Sequence, residues 1–415
     1  MAIGESECDL RLVRLPAWGK VAAADGPVPF LVLDDEGRPV EPVFRFLRDF
    51  AARGHSAGSV RSYAYALHRW WRFLLAADAE WDKVTCDVVR DFVLWMGQAT
   101  KSRRVPRTRS LATAGQVNPV TGKRYPGDRY QARTIRHSNA VLRSFYQFWI
   151  EQGQGPLVNP VPQDRPRGQR ANAHHNPLEP FRAEGRLRYN PQLPRPRPRA
   201  IPDERWLDLF AALRSNRDRA ILALAVSTGA RAGELLGLTI ADLDWGDQLI
   251  QVRRKGSGAR QWLPASSEAF TWLRLWLEDL GGDLPPGAPV WQTLRRRSRV
   301  DRELRRQPLG YDALRAVLRR ANEALGTNWT MHDMRHTCAL RMVRSQSLSL
   351  RDVQTILGHS RLTTTQEYLI TDDHEVHLRV RDYLARRSQQ PQAVPAAGYD
   401  PGDLAVLLGG GHDER

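Results

Sequence analysis

Cysteine is scarce in this chain of 415 residues, and its three cysteines, Cys8, Cys86 and Cys338, lie far apart. They form no C-x-x-C pair, which argues against a disulfide scaffold and against a zinc site built from cysteines. No apolar run of about eighteen residues or more is present, so no transmembrane helix is indicated. The first residues, MAIGESECDLRLVR, lack the apolar core of a signal peptide. We therefore expect a cytoplasmic protein with no membrane partner.

Lysine is also rare, because only five of the 62 basic residues are lysines. Codon usage in a GC-rich genome accounts for most of the arginine excess, and it makes each retained lysine informative. The lysines are Lys20, Lys83, Lys101, Lys123 and Lys255. With 46 acidic residues, the formal net charge is +16. Such a balance predicts a polyanionic partner, most simply nucleic acid.

Composition divides the chain into five predicted segments. Residues 156–202 hold eleven prolines with arginines between them, which is typical of an extended cationic linker rather than a packed domain. The predicted segments are a loosely ordered N-terminal extension (1–36), a helical domain (37–155) with a long Gly/Pro/Arg-rich loop insertion (99–130), a Pro/Arg-rich linker (156–200), a second domain (201–388) and a C-terminal tail (389–415).

Apolar spacing predicts a mainly helical fold. Three stretches of the first domain repeat apolar residues at helical intervals: SVRSYAYALHRWWRFLL, CDVVRDFVLWM and RTIRHSNAVLRSFYQFWI. In the second domain we expect helices near 203–214 and 217–227, another in RAGELLGL, and more after residue 266. The stretch LIQVRRKGSGARQWLPA alternates instead, which predicts two short strands around a Gly-Ser-Gly turn.

Four separated pieces of the second domain carry side chains suited to one chemistry. TGARAGELLGL sets an arginine after a glycine turn at a helix start, where backbone N–H groups can bind an anion. The β-hairpin carries a lysine, HDMRH sets a histidine and an arginine on one helix face, and LGHSRLTTTQEY holds a histidine with a tyrosine nine residues later. These candidates are Arg231, Lys255, His332, Arg335, His359 and Tyr368.

A phosphodiester is the substrate that this set fits best. Guanidinium forks bind nonbridging oxygens and stabilise the charge of a pentacoordinate transition state. A tyrosine can attack phosphorus and conserve the ester bond in a covalent intermediate. A lysine can protonate the leaving oxygen, whereas arginine holds its proton too tightly.

The pieces, in this order, resemble those of the tyrosine recombinases, also called the phage integrase family. The matching residues are Ala230-Arg231-x-Gly-Glu-Leu-x-x-Leu, the Lys255 hairpin with Arg260 and Pro264, His332-x-x-Arg335-His336, and Leu357-Gly-His359 with Tyr368, which follows Arg335 by 33 residues. The resemblance implies a mainly α fold with a small β-hairpin or sheet in a catalytic domain (201–388). It also implies a two-domain C-clamp that includes an N-terminal helical, SAM-like core-binding domain (37–155).

By this resemblance, the chain would be a site-specific DNA recombinase or integrase that works through a 3′-phosphotyrosyl intermediate and a Holliday junction. Arg231 and Arg335 would clamp the scissile phosphate, and His359 would hydrogen-bond to it. The partners implied are double-stranded DNA at paired recombination sites and a homo-tetramer assembled on that DNA.

The remaining candidates would carry the proton transfers and the bond exchange. Tyr368 would be the nucleophile, Lys255 the general acid, and His332 an aid to proton transfer. No metal and no cofactor are implied, because each cut exchanges one ester for another.

Other interpretations of the same residues exist. Arg231 alone could simply pair with Glu234, and His332 with His336 has the spacing of a zinc helix, although Asp333 stands where that motif has glutamate. A type IB topoisomerase and a non-cleaving DNA-binding regulator are the alternative function classes. Phage integration, transposition and chromosome-dimer resolution remain open as roles.

The rarity of lysine generates a prediction about Lys255. An arginine would serve as well for a plain phosphate contact, but it cannot donate a proton near neutral pH. We predict that Lys255→Arg binds DNA almost normally and cleaves about a hundredfold more slowly, the range of general acid catalysis. A DNA substrate with sulfur in place of the bridging 5′ oxygen should restore much of the cleavage rate of Lys255→Arg, because a thiolate leaving group needs little protonation. Single-turnover cleavage measures both rates, and full-speed cleavage of ordinary DNA by the variant would remove Lys255 from the mechanism.

Overall fold

Helices of 5 to 20 residues and a few small antiparallel sheets make up the described part of the protein. The computed structural model describes residues 10, 13–101, 113–164, 186–193, 199–295, 297–298, 304–345, 347–358 and 381. Its helices are α1 (Glu41–Ala52), α2 (Ala57–Ala76), α3 (Cys86–Gln98), α4 (Ala132–Glu151), α5 (Asp203–Ala211), α6 (Asn216–Thr228), α7 (Ala232–Leu236), α8 (Ser267–Leu280), α9 (Tyr311–Leu325), α10 (Met331–Arg344) and α11 (Leu350–Leu357). Its strands are β1 (Lys20–Ala23), β2 (Phe30–Leu33), β3 (Leu243–Asp244), β4 (Leu249–Arg253), β5 (Arg260–Pro264), β6 (Arg297–Ser298) and β7 (Leu304–Arg305).

The prediction of a mainly α fold with a small sheet in the second domain is confirmed. Two large hydrophobic cores span residues 28–161 and residues 201–334, and a small third cluster consists of Ala339, Leu340, Val353 and Leu357. Among the helices of the described ranges, none has the length and apolar character needed to cross a membrane.

Aromatic side chains fill the first core, between α1, α2, α3 and α4. The hydroxyl of Ser56 caps α2 by accepting the N–H of Ser59, and the buried residues of α2 recur at the helical period. At the centre, the indole N–H of Trp70 donates to the hydroxyl of Tyr146 on α4, 3.0 Å away. Both side chains are fully buried. This bond satisfies two polar groups that would otherwise lack a hydrogen-bond partner in an apolar core.

A β-hairpin precedes α1. Its strands β1 and β2 pair antiparallel, and Val28 and Val32 are buried in the first core. The expectation of a loosely ordered extension over residues 1–36 is therefore wrong for residues 20–33. Strands of four residues carry too short a pattern to be detected, and Val32 of β2 is buried where the strand packs against α1 and α2.

Within the insertion over residues 99–130, the structure describes residues 99–101 and residues 113–130, and we call the latter stretch the strap. Its tip is a tight turn in which the N–H of Asn118 donates to the carbonyl of Lys123, 2.9 Å away, and the N–H of Gly122 donates back to Asn118. The prediction of a long loop therefore understated its order, because the Asn118 side chain also closes the turn through local hydrogen bonds that hydropathy does not register.

Parts of the linker predicted over residues 156–200 pack against the first core. Val161 is buried, and Leu187 lies against the same core, with a β-bridge joining Gln163 to Leu187. Apolar side chains thus fold these two stretches back onto the helical domain, so the expectation of a uniformly extended linker is wrong there. Residues 165–185 and 194–198 of the linker lie outside the described residues.

Helices α5 to α10 enclose the second core together with the three-stranded sheet β3-β4-β5. Every residue of α6 from 220 to 225 is buried, as expected of a helix that is apolar on all sides, and it packs against α8 and α10. Strands β4 and β5 pair antiparallel, with Arg253 opposite Arg260. The turn between them holds Lys255, as the sequence predicted.

Gly229 ends α6 and brings three helices close together. Its φ is +64°, and an added Cβ would lie 2.7 Å from Leu357 Cδ2 on α11 and 3.1 Å from Cys338 Sγ on α10. We predict that Gly229→Ala lowers the free energy of unfolding by about 1–3 kcal/mol, because left-handed strain adds to displaced packing. Urea denaturation measures the loss.

Gly326→Ala is the matched control for this variant. Gly326 also ends a helix with a φ of +64° but has nothing within 4 Å of the added Cβ, so its substitution introduces the strain alone. Equal losses in the two variants would show that the close approach at Gly229 contributes nothing.

Candidate active site

Arg335, which lies in HDMRH, connects that piece to two of the other three predicted pieces. It lies on α10 with 3% of its surface exposed, and its guanidinium donates to the carbonyl of Gly229, 2.7 Å away, and to that of Leu357, 2.6 Å away. The turn that leads into Arg231 and the helix end that leads into His359 are therefore held by one side chain.

Glu234 orients Arg231. A carboxylate oxygen of Glu234 accepts from the guanidinium of Arg231 at 2.9 Å, and the other accepts the backbone N–H of Arg231 at 2.9 Å. The pairing of Arg231 with Glu234, which the sequence offered as an alternative role for Arg231, is thus present. The side chain of Arg231 nevertheless remains 35% exposed, so the pairing leaves it accessible to a ligand.

Arg254 extends this network to two further segments. Its guanidinium donates to Glu234 at 3.0 Å and to the side chain of Gln261 on β5 at 2.8 Å, and it also bonds the carbonyl of Ile356 on α11. Only 6% of Arg254 is exposed. Arg254 therefore fastens the tip of the hairpin to α7 and to the end of α11.

Sequence reasoning missed Arg254, although a signal for it exists. Side chains alternate between the two faces of a strand, and Ile250 and Val252 of β4 are buried. The same alternation places Arg254 inward and leaves Arg253 exposed. Of these two adjacent arginines, Arg254 is thus buried and Arg253 is exposed to solvent.

Charge balance around Glu234 makes the network sensitive to pH. Burial opposes ionisation of Glu234, but hydrogen bonds from Arg231 and the positive charges of Arg254 and Arg231 outweigh it, so its pKa is lowered. Burial also lowers the pKa of Arg254, which nonetheless stays protonated because guanidinium ordinarily titrates far above neutral pH. A carboxyl with a lowered folded-state pKa stabilises the fold above its unfolded pKa, and that contribution is lost as the pH falls through the folded pKa.

Lys255 lies in the turn between β4 and β5 and is exposed. Its backbone N–H donates to Glu234 at 3.3 Å. The position of the lysine in the site is therefore set by the carboxylate that also orients Arg231, while its side chain stays accessible to solvent and substrate.

Two histidines stand side by side on α10. The rings of His332 and His336 meet edge to face with centroids 4.1 Å apart. Removal from water lowers the pKa of His332, although Asp333 opposes the shift, and burial together with the nearby His332 lowers the pKa of His336 to about 4. Both rings are therefore neutral near pH 7. Over the described ranges, no group of three or more His, Cys, Asp or Glu side chains could hold a metal ion.

His359 and Tyr368 lie outside the described residues. Gly358 is the last described residue before them and ends α11 with a φ of +62°. Because the two preceding carbonyls are bonded to Arg254 and Arg335, the chain enters the segment 359–368 at a point fixed beside both arginines.

The assembled residues suit an anionic ligand. Arg231, Lys255 and His332 are all accessible to some degree at this place, and the buried Arg335 ties the surrounding backbone together. Cationic and neutral donors held on separate rigid elements are the arrangement that binds a phosphodiester and stabilises added negative charge.

Comparison with known families identifies both parts of the chain. The phage integrase family is matched over residues 202–375, and the N-terminal SAM-like domain of phage integrases over residues 43–114.

Individual relatives agree with this assignment. Tyrosine recombinase XerC of Pseudomonas syringae pv. syringae is 33% identical over 247 residues, covering 58% of this chain and 70% of the relative. Tyrosine recombinase XerD of Pseudomonas aeruginosa is 32% identical over 204 residues, covering 47% of this chain and 64% of the relative. Transposase A from transposon Tn554 of Staphylococcus aureus is 23% identical over 381 residues, covering 89% of this chain and 99% of the relative.

Solved structures show the same fold. A lambda integrase dimer bound to a COC′ core site superposes with a TM-score of 0.50 at 17% identity, covering 79% of this chain and 94% of that one. A lambda integrase tetramer bound to a Holliday junction gives 0.50 at 18% identity, covering 78% and 77%. This chain belongs to the phage integrase family, the tyrosine-type site-specific DNA recombinases.

Proposed function

We propose that this protein cuts and rejoins duplex DNA by transesterification, with Tyr368 as the nucleophile. The observation that carries the proposal is the convergence of Arg231, Arg335 and the Lys255 turn at the end of α11. Tyr368 follows the last residue of that helix end, Gly358, by ten residues. A nucleophile on so short a segment stays within reach of a phosphate bound at the arginines.

The phosphate is bound by Arg231 and Arg335, with His359 as a further donor. Bonds to two carbonyls hold the plane of the Arg335 guanidinium, and Glu234 holds that of Arg231. Donors whose orientation is fixed before the substrate arrives stabilise a pentacoordinate phosphorus without reorganising.

The bond exchange is balanced without an added reactant. The phenolic oxygen of Tyr368 attacks phosphorus and the bond to the 5′ oxygen breaks, which leaves a 3′-phosphotyrosyl ester and a free 5′-hydroxyl. His332 assists removal of the phenolic proton, and Lys255 donates a proton to the leaving oxygen. A 5′-hydroxyl of the partner strand then attacks the ester and releases the tyrosine.

Duplex DNA is the partner we assign to both domains. Helices α2 and α4 line a concave surface that carries Arg61, Arg69 and Arg133, and the formal net charge of +16 favours a polyanion. We infer that this surface and the candidate active site bind opposite sides of the duplex as a clamp. We also infer that a homo-tetramer assembles on paired sites and passes through a Holliday junction. The protein is expected to work in the cytoplasm. The tetramer inference draws support from the lambda integrase tetramer on such a junction.

The domain division behind this clamp is also a proposal. Its segments are a core-binding domain (37–155), against which the hairpin of residues 20–33 and parts of the linker (156–200) pack, a catalytic domain (201–388) and a tail (389–415).

Replacing Tyr368 tests the nucleophile. A nicked suicide duplex, carrying the site that the protein selects from a random-sequence pool, should trap a covalent adduct with the wild type on a denaturing gel. We predict no adduct with Tyr368→Phe and DNA affinity within about twofold of the wild type, because only the attacking oxygen is removed. Tyr399→Phe is the matched control and should form the adduct normally.

An adduct formed by Tyr368→Phe would refute the assignment. Recombination between two such sites also separates the recombinase from a type IB topoisomerase, which would relax supercoiled DNA without a specific site.

Arg254 should be needed for the stability of the site. We predict that Arg254→Gln lowers the free energy of unfolding by about 3–5 kcal/mol, because it removes one partner from a buried ion pair, and that it slows cleavage by loosening the end of α11. Urea denaturation measures the first effect. Arg253→Gln, at the exposed neighbouring position, should stay within about 0.5 kcal/mol of the wild type, and equal losses in the two variants would contradict the network.

A further inference from the structure

The strap is anchored in the N-terminal domain. A β-bridge joins Thr100 to Arg129, and the backbone N–H of Lys101 donates to the carbonyl of Asp128 at 2.8 Å. The guanidinium of Arg69 on α2 lies 4.7 Å from the centre of the Tyr130 ring. The end of the strap that leads into α4 is therefore held by the helical domain.

The tip of the strap contacts the catalytic domain just before α10. The side-chain amide of Asn118 donates to the carbonyl of Gly326 at 2.8 Å, and the hydroxyl of Thr121 donates to the side chain of Asn328 at 2.5 Å. Asn328 returns a bond from its amide to the carbonyl of Lys123 at 3.0 Å. Asn118 and Thr121 are buried, so this is a closed polar contact between the two domains.

Lys123 reaches the cap of the catalytic helix. Its Nζ lies 2.5 Å from Oδ2 of Asp333, and the two side chains are 32% and 11% exposed. The same oxygen of Asp333 accepts the N–H and the hydroxyl of Thr330, each at 2.7 Å, which closes the capping box of α10. The lysine therefore compensates the charge of a carboxylate that starts the helix carrying His332 and Arg335.

We propose that Lys123 is a positioning residue for strand cleavage, through which the N-terminal domain fixes the first turn of α10. The proposal rests on the proposed function above. His332 is the neighbour of Asp333 in sequence, and Arg335 lies two residues further on, so a displaced first turn would move both. A lysine on the loop of another domain thus sets the geometry of catalytic groups that it does not itself contact.

The charge of Lys123 also affects the pKa of His332. The charged and titratable groups around His332 are Asp333, Arg335, Lys123 and Arg231, with His336 against its ring. Lys123 contributes to lowering the pKa of His332. Removing its charge while Asp333 remains should therefore raise the pKa of His332.

Three variants of the full-length protein test the proposal. Lys123→Met removes the charge, Lys123→Arg keeps it, and Arg124→Met removes a charge from the exposed neighbouring position of the same turn. At saturating protein, the single-turnover rate of covalent adduct formation should fall about ten- to a hundredfold in Lys123→Met, as expected of a small misplacement of catalytic groups. DNA affinity should stay within about twofold, while Lys123→Arg recovers most of the rate and Arg124→Met cleaves normally.

A titration without DNA makes the test independent of cleavage. The ring Cε1–H signal of His332, followed by NMR, should titrate at higher pH in Lys123→Met than in the wild type and should not move in Arg124→Met. Lys123→Gln is a second variant for both measurements if the methionine variant unfolds.

The outcomes separate this proposal from the proposed function. Absence of an adduct in the wild type would reject the proposed function, whereas the titration would still report on the strap. Wild-type cleavage rates in Lys123→Met, or an unshifted His332 titration in it, would overturn the positioning role.

Discussion

The fork of hydrogen bonds from the buried guanidinium of Arg335 is the interaction on which the rest of the site depends. It satisfies the carbonyls of Gly229 and Leu357, which stand at the ends of two different helices, α6 and α11. Helix ends leave carbonyls without intrahelical partners. A planar donor with several N–H groups in fixed directions can bind two of them at once, which the single ammonium of a lysine does less rigidly.

Glu234 complements this arrangement with negative charge. A carboxylate between Arg231 and Arg254 keeps two guanidinium groups close together that would otherwise repel each other. Burying such a network costs desolvation energy, and replacing it by apolar side chains could stabilise the fold. The network lies where the hairpin, α7 and α11 meet, so its hydrogen bonds organise the site as well as contributing to stability.

Local pattern was sufficient for much of the fold. Helices α2 and α4 follow from apolar residues at helical spacing, and the β4-β5 hairpin follows from alternation around a Gly-Ser-Gly turn. The N-terminal hairpin was missed because strands of four residues resemble a loop until a helix packs against them. The sequence predicts only a loop for the strap, because the buried side chains of Asn118 and Thr121 have their partners more than 200 residues away.

The sequence by itself determined which side chains are available for the chemistry and in what order they occur. Short motifs predict Arg231, Lys255, His332 and Arg335 as candidates, because a phosphodiester requires donors and a proton source of particular types. Only the tertiary structure decided that Arg254 is buried while Arg253 is exposed, and that Lys123 meets Asp333 across 210 residues of chain. Such pairings depend on how separate elements pack, and packing is a property of the whole fold rather than of any local stretch.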